Sequence, residues 1–250
     1  MAGTSSSTGG DDCAPTDPNC GGGGGVCPGL GGWGCDAPEC EDTRVWGEVA
    51  IIDANWEEAR YPDVAVGPDG TAIVVWTEVS DVSVDIWANR YVPGEGWGTA
   101  MLLEQDDAGD AKYARVAMDD AGNALAVWMQ SDGTHDHAWA NRYVPGQGWG
   151  TAQRIDDNDT RDVERPIIVM NGAGNAIAVW RDRDEVALDQ KLWASWFVPG
   201  QGWGWAELVE ANGMAQTHTP RVGMDPTGNA VAVWTADYIG STSIQGKVLQ

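Results

Sequence analysis

From residue 45 onward the apolar positions form short runs rich in Val, Ile, Ala and Trp, bounded by Gly, Pro, Asn and Asp. Runs this short, separated by turn chemistry, predict β-strands rather than helices. The pattern repeats. Trp76, Trp128, Trp180 and Trp234 close the segments GTAIVVW, GNALAVW, GNAIAVW and GNAVAVW at spacings of 52, 52 and 54 residues. VPGEGWG at 92–98, VPGQGWG at 144–150 and VPGQGWG at 198–204 keep the same period, and Trp87, Trp139 and Trp193 make a third series. Once Trp46 is placed beside Trp97, Trp149 and Trp203, eleven of the fifteen tryptophans fall in register.

Each repeat predicts four strands: A (62–66, 114–118, 166–170, 220–224), B (72–78, 124–130, 176–182, 230–235), C (86–92, 138–144, 192–198, 244–249) and D (99–104, 151–155, 205–209). GPDG, DDAG, NGAG and DPTG between A and B supply Asp, Asn or Pro to start a turn and Gly to take the positive φ. Pro-Gly-x-Gly ends strand C and lets the chain reverse. Four antiparallel strands repeated at about 50 residues predict an all-β, four-bladed β-propeller of four-stranded antiparallel blades. Run D is absent after the fourth repeat, and residues 46–52 read as its missing copy. The N-terminal strand is therefore expected to pair with the C-terminal strand and close the ring, leaving no sheet edge open; two chains sharing an eight-bladed ring, or a stack of open arcs, are the alternatives.

The domain boundaries expected are 1–44 for a leader and 45–250 for the propeller. Residues 1–44 contain the run Gly21 to Gly25 and all five cysteines, Cys13, Cys20, Cys27, Cys35 and Cys40. Without apolar periodicity this segment reads as a disordered Gly/Cys-rich leader. Its spacings hold no CxxC pair, so disulfides in an oxidising compartment fit better than zinc, and the odd count leaves one thiol over, either paired between chains or free.

The repeats resemble bacterial secreted tandem-repeat β-propellers with Trp-rich units of about 52 residues. Propeller lectins also carry Trp and Arg in each repeat, as do Trp87 with Arg90 and Trp139 with Arg142; the third repeat departs, with Trp196 where Arg would stand. The resemblance implies glycan recognition. Glycine-framed Trp97, Trp149 and Trp203 would stack on a sugar, with Asn89, Arg90, Asn141 and Arg142 binding its hydroxyls. Trp76, Trp128, Trp180 and Trp234, at the ends of apolar runs, are expected in the core.

Charge sharpens the picture. Asp and Glu number 38 against 14 Lys and Arg, a net charge of −24, which disfavours nucleic acid and anionic membranes as partners. No window is long and apolar enough to span a bilayer, and no signal sequence precedes the repeats, so an extracellular or cell-envelope location implies that a signal or lipid anchor has been removed. The acids concentrate in the loops between strands B and C and between successive repeats. Asp106, Asp107, Asp110, Asp156, Asp157, Asp159 and Asp162 are the densest group and the expected ligands if Ca²⁺ binds, although none follows an EF-hand spacing. His135, Asp136 and His137 read as a polar loop. No GxSxG, HExxH, P-loop or dinucleotide fingerprint occurs, so no catalytic residue is assigned. The function expected is a non-catalytic binding module for a glycan or protein. A structural subunit joined through its leader and capable of self-association, and Ca²⁺-dependent recognition on the acidic face, are the alternatives.

Overall fold

The computed structural model describes residues 45–53, 57–105, 109–184, 190–210, 216–218, 220–238 and 240–249. The five cysteines and the whole expected leader therefore lie outside the described residues, as do Asp106 and Asp107. The chain divides into two units at Ala50/Ile51.

The described residues form four antiparallel sheets and no helix. Sheet 1 contains β1 (Glu58–Val66), β2 (Ala72–Val79), β3 (Val84–Val92), β4 (Gly96–Trp97) and β5 (Met101–Leu102). Sheet 2 repeats it with β6 (Ala111–Met118), β7 (Ala124–Ser131), β8 (Asp136–Val144), β9 (Gly148–Trp149) and β10 (Gln153–Arg154). Sheet 3 comprises β11 (Asp162–Met170), β12 (Ala176–Arg183), β13 (Gln190–Val198), β14 (Gly202–Trp203) and β15 (Glu207–Glu210). Sheet 4 has β16 (Gln216–Thr217), β17 (Arg221–Met224), β18 (Ala230–Tyr238) and β19 (Ser241–Leu249). The first strands of successive sheets lie against one another, β1 with β6, β6 with β11 and β11 with β17, so the sheets converge on their first strands.

Turn chemistry works as the sequence predicts. Asp119, Asn171 and Asp225 each accept the N–H two residues ahead, at 2.9, 3.1 and 2.8 Å. Gly122, Gly174 and Gly228 close these turns at φ of 77°, 85° and 98°, where a β-carbon would be strained. The sheets pack face to face through three apolar layers, one between each consecutive pair. In the first, Ile73, Val75 and Ile86 of sheet 1 meet Ala124, Ala126 and Trp128 of sheet 2. Trp76, Trp128, Trp180 and Trp234 are at most 4% exposed, as expected of core residues. Truncating such an indole to alanine costs about 3–5 kcal/mol.

Two expectations need correction. Residues 45–53 form no strand, and the only partner of β19 is β18, so the predicted closing pair does not form among the described residues. Val45, Trp46 and Val49 are fully or almost fully exposed. Strand D is also shorter than predicted. Trp97 and Gly96 pair with Tyr91 and Val92, the chain then leaves the ladder, and only Met101 and Leu102 return to pair with Ala88 and Trp87. The outermost strand is broken because its Trp-Gly segment belongs to the hairpin, not to the strand.

A bulged inner-strand row as candidate active site

The first strand of each of the first three sheets is interrupted at the same repeat position. Arg60 pairs with Thr77 and Asp63 with Val75, so Tyr61 and Pro62 together oppose Trp76. Tyr113 and Ala114 oppose Trp128, and Arg165 and Pro166 oppose Trp180, in the same way. The first residue of each bulge is not glycine, yet it has positive φ: 55° at Tyr61, 60° at Tyr113 and 45° at Arg165. Such conformations cost about 1–3 kcal/mol each and collect at functional sites, where a bulge re-aims a side chain.

The re-aimed side chains meet across the sheets. The rings of Tyr61 and Tyr113 lie 4.7 Å apart at 50°, and the guanidinium carbon of Arg165 sits 4.8 Å from the centre of the Tyr113 ring. Tyr61 remains 46% exposed and Arg165 is exposed. The row is built from the three inner strands β1, β6 and β11. It joins aromatic faces, phenolic hydroxyls and a guanidinium, the groups that stack on the apolar face of a sugar and bind its hydroxyls.

Carboxylates flank the row. Lys112 pairs with Asp110 at 2.6 Å, and Glu164 is held between Arg181 and Arg183. Asp162, at the start of β11, accepts the N–H of Asp136 at 3.1 Å and contacts His135 Nδ1 at 3.1 Å. Burial raises the Asp136 carboxyl from its ordinary value, and the neighbouring Asp162 raises it further, while Lys112 opposes both. A carboxyl whose proton affinity is raised beside a second carboxyl is the pairing that acid catalysis of glycoside cleavage uses.

A second set of carboxylates lies two residues beyond the short outer strands β5 and β10 and ties that end of the chain to the third strand of the same sheet. Glu104 accepts the Ile86 N–H through both oxygens at 3.0 and 2.8 Å, and burial, reinforced by Asp85, pushes its carboxyl up to about 8. Asp156, at the same repeat position, accepts the Ala138 N–H at 2.9 Å and meets His137 Nδ1 at 3.1 Å and Arg154 at 2.9 Å. Burial pushes Asp156 up, but the hydrogen bonds from His137 and Arg154 outweigh it and hold the carboxyl low. Trp76 and Trp128 donate their indole N–H groups to Glu78 and Gln130 at 3.1 and 2.9 Å. His137 is 1% exposed and belongs to β8, contrary to its reading as part of a polar loop.

The residues singled out as sugar ligands are engaged within the fold. Asn89 donates to the Ile52 carbonyl and accepts the Arg90 N–H; Asn141 donates to the Leu103 and Gly150 carbonyls. Arg90 and Arg142 lie over the rings of Tyr143 and Phe197 at 5.8 and 5.6 Å, in the following sheets. Trp97, Trp149 and Trp203 pack on Tyr91, Tyr143 and Phe197 at 5.4, 5.6 and 5.5 Å. Of the expected Ca²⁺ ligands, Asp110 pairs with Lys112, Asp156 and Asp159 share Arg154, and Asp162 faces His135. Among the described residues no group of three or more His, Cys, Asp or Glu is disposed to hold a metal ion.

Tyr61, Tyr113 and Arg165 were not among the sequence candidates, although a signal for them exists. Pro62, Pro166 and Pro220 open three of the four predicted A runs at one repeat register, and Pro62 and Pro166 are the second residues of the bulges in sheets 1 and 3.

Comparison with known proteins adds the fold's context. No family model matches the chain, and no curated protein does. Among solved structures, the chain is similar to an α-L-arabinanase from Penicillium chrysogenum complexed with arabinobiose, with a TM-score of 0.57 at 15% identity over 76% of this chain and 62% of that one. It is similar also to the α-L-arabinofuranosidase Arb93A of Fusarium graminearum, with a TM-score of 0.55 at 16% identity over 80% of this chain and 66% of that one. The chain thus spans less than two thirds of the length of each. These likenesses support the propeller-like, all-β fold and correct the functional expectation. The reading as a non-catalytic module or structural subunit, and with it the view that the chain is not an enzyme, is overturned by solved structures that are carbohydrate-cleaving enzymes. The missing motifs argued poorly, because a glycosidase needs two carboxylates placed by the fold and no contiguous signature. Among the described residues no helix is long and apolar enough to cross a membrane.

Proposed function

We propose that the chain is a glycan-cleaving protein that binds its substrate over the inner-strand row Tyr61, Tyr113 and Arg165. The observation that carries this reading is the bulge repeated on three consecutive inner strands, which holds two tyrosines and an arginine in strained backbone and stacks them into one row. The row would seat a sugar ring by stacking and hydrogen bonding. Asp136, whose carboxyl is raised, is suited to protonate a leaving glycosidic oxygen, while Asp162 is suited to act as the base or nucleophile beside it. The likeness to arabinan-acting enzymes makes arabino-oligosaccharides the first substrates to offer, and a polysaccharide substrate fits action outside the cell.

The test is release of reducing sugar from linear arabinan and of phenol from aryl α-L-arabinofuranosides, together with calorimetric binding of arabinobiose. Cleavage is expected to fall at least about a hundredfold in Asp136→Asn, in line with the loss of a proton donor. Tyr113→Ala is expected to weaken arabinobiose binding. Neither cleavage nor binding across a panel of glycans would end this reading.

A further inference from the structure

The repeat supplies an internal control for every surface residue, because each position has counterparts in the other sheets. Ile73, Leu125 and Ile177 are 1%, 1% and 5% exposed, but their counterpart in sheet 4, Val231, is 44% exposed. Val75, Val127 and Val179 are fully buried, whereas Val233 is 40% exposed. Ile86, Ala138 and Leu192 are likewise fully buried, against 75% exposure for Ile244. Sheet 4 therefore shows to solvent a face that the other three sheets bury against a following sheet.

The complementary face stands bare at the other end of the array. In the three internal interfaces that receiving surface includes the first-strand row Val116 and Met118, then Ile168 and Met170, then Val222 and Met224. The counterparts in sheet 1, Val64 and Val66, are 55% and 63% exposed. Ala72 and Trp76 of sheet 1 are already buried, so the receiving surface there is the β1 row itself. The polar contacts match as well. Across the interface between sheets 1 and 2, Thr77 Oγ1 accepts the N–H of Tyr113 at 3.2 Å; across that between sheets 3 and 4, Arg181 donates to the Thr217 carbonyl at 2.9 Å. Thr235 stands at the position of Thr77 and Arg181, and Tyr61 at the position of Tyr113. The last sheet thus offers a hydroxyl where a first strand like β1 would present an N–H.

We infer that the exposed face of sheet 4, Val231, Val233 and Ile244, docks on the β1 row of a second copy of this chain. Each copy has one donor face and one receiving face, so the contact is head-to-tail rather than a face paired with itself. Two copies then join through two such contacts. Two arcs of four sheets make a ring of eight, the upper end of the usual range for propellers, which is why the occupant is one further copy and not an open string of them. The interface continues a packing mode the chain already uses three times, and exposed valines and isoleucine of this density are costly to leave in water.

The test uses the full chain under reducing conditions, so that no disulfide between leaders contributes. Light scattering coupled to size exclusion is expected to give twice the chain mass. Val233→Asp and Val64→Asp, each at an exposed position, should weaken self-association at least tenfold while circular dichroism stays unchanged. Mixing the two variants should restore association in part, because one of the two contacts in the mixed pair joins two intact faces. Hydrogen exchange at β1 and β19 should slow as wild-type concentration rises. A wild-type chain that remains monomeric up to its solubility limit would overturn the inference. So would exchange at β1 and β19 that is slow at every concentration, which means closure within one chain. Loss of dimers in Val233→Asp but not in Val64→Asp, or a mixture that associates no more than either variant alone, would overturn it too, since a head-to-tail contact needs both faces and gains one intact contact in the mixture.

Discussion

Sheets 1 and 2 present one backbone site with opposite electrostatics. In both, a carboxylate at the end of the fourth run accepts the N–H of the third strand, Glu104 from Ile86 and Asp156 from Ala138. What differs is the company. Glu104 stands beside Asp85, while Asp156 meets His137 at the corresponding place and Arg154 where sheet 1 has Leu102. The burial that pushes Glu104 up to about 8 is outweighed at Asp156 by the hydrogen bonds from His137 and Arg154. A repeat position thus fixes where a carboxylate sits, and its neighbours decide whether it carries charge.

The largest test of this contrast removes the carboxylates. Asp156→Ala leaves buried His137 without one of its partners and Arg154 without its buried one, and is expected to cost about 3–5 kcal/mol at pH 7, read by urea denaturation. Glu104→Gln keeps shape and should be neutral at pH 5. Equal losses at pH 7 for the two substitutions would end the distinction between the sites.

Next comes pH. Glu104 binds its proton more tightly folded than unfolded, so its contribution is complete below the ordinary glutamate pKa. It is lost as pH rises towards about 8, at up to about 1.4 kcal/mol per pH unit. Glu104→Gln should flatten that decline. Sheet 2 behaves in the opposite sense at its carboxylate: Asp156, held low, stabilises above the ordinary aspartate range and loses that contribution as pH falls through its depressed pKa. His137, raised by its hydrogen bond to Asp156, stabilises at pH below the ordinary histidine pKa and loses that contribution as pH rises through its raised one. The smallest effect belongs to Arg154→Leu, which copies the sheet 1 residue into sheet 2. Arg154 is partly exposed, so the expected cost is about 1 kcal/mol, with a rise in the Asp156 pKa visible by carboxyl NMR titration.

The second and third strands of each repeat were readable to within a few residues. Run 124–130 became Ala124–Ser131 and run 138–144 became Asp136–Val144, because Ala, Val and Trp in tight succession between turn signals leave no other element. The first strands were half read. The prediction began at 62, 114 and 166, whereas β1, β6 and β11 begin at Glu58, Ala111 and Asp162, because the apolar pattern breaks at the bulge and resumes out of phase. That break hid Tyr61, Tyr113 and Arg165, which became candidates only when three strands from distant parts of the chain lay side by side. At the glycine-framed tryptophans the turns were read correctly, but the cross-strand rings of Tyr91, Tyr143 and Phe197 beside them could not be known before register was fixed.

By itself the sequence determined the repeat, the strands and the turn glycines, since these rest on local periodicity and on backbone conformations that few residues adopt. Tertiary structure decided which carboxylates are charged, which asparagines serve the backbone and which first-strand residues form a row. Those properties depend on neighbours that are some 20 to 50 residues away, as Asp156 is 19 from His137 and Tyr113 is 36 from Thr77. Sequence spacing places such residues on a strand, but only packing gives them partners.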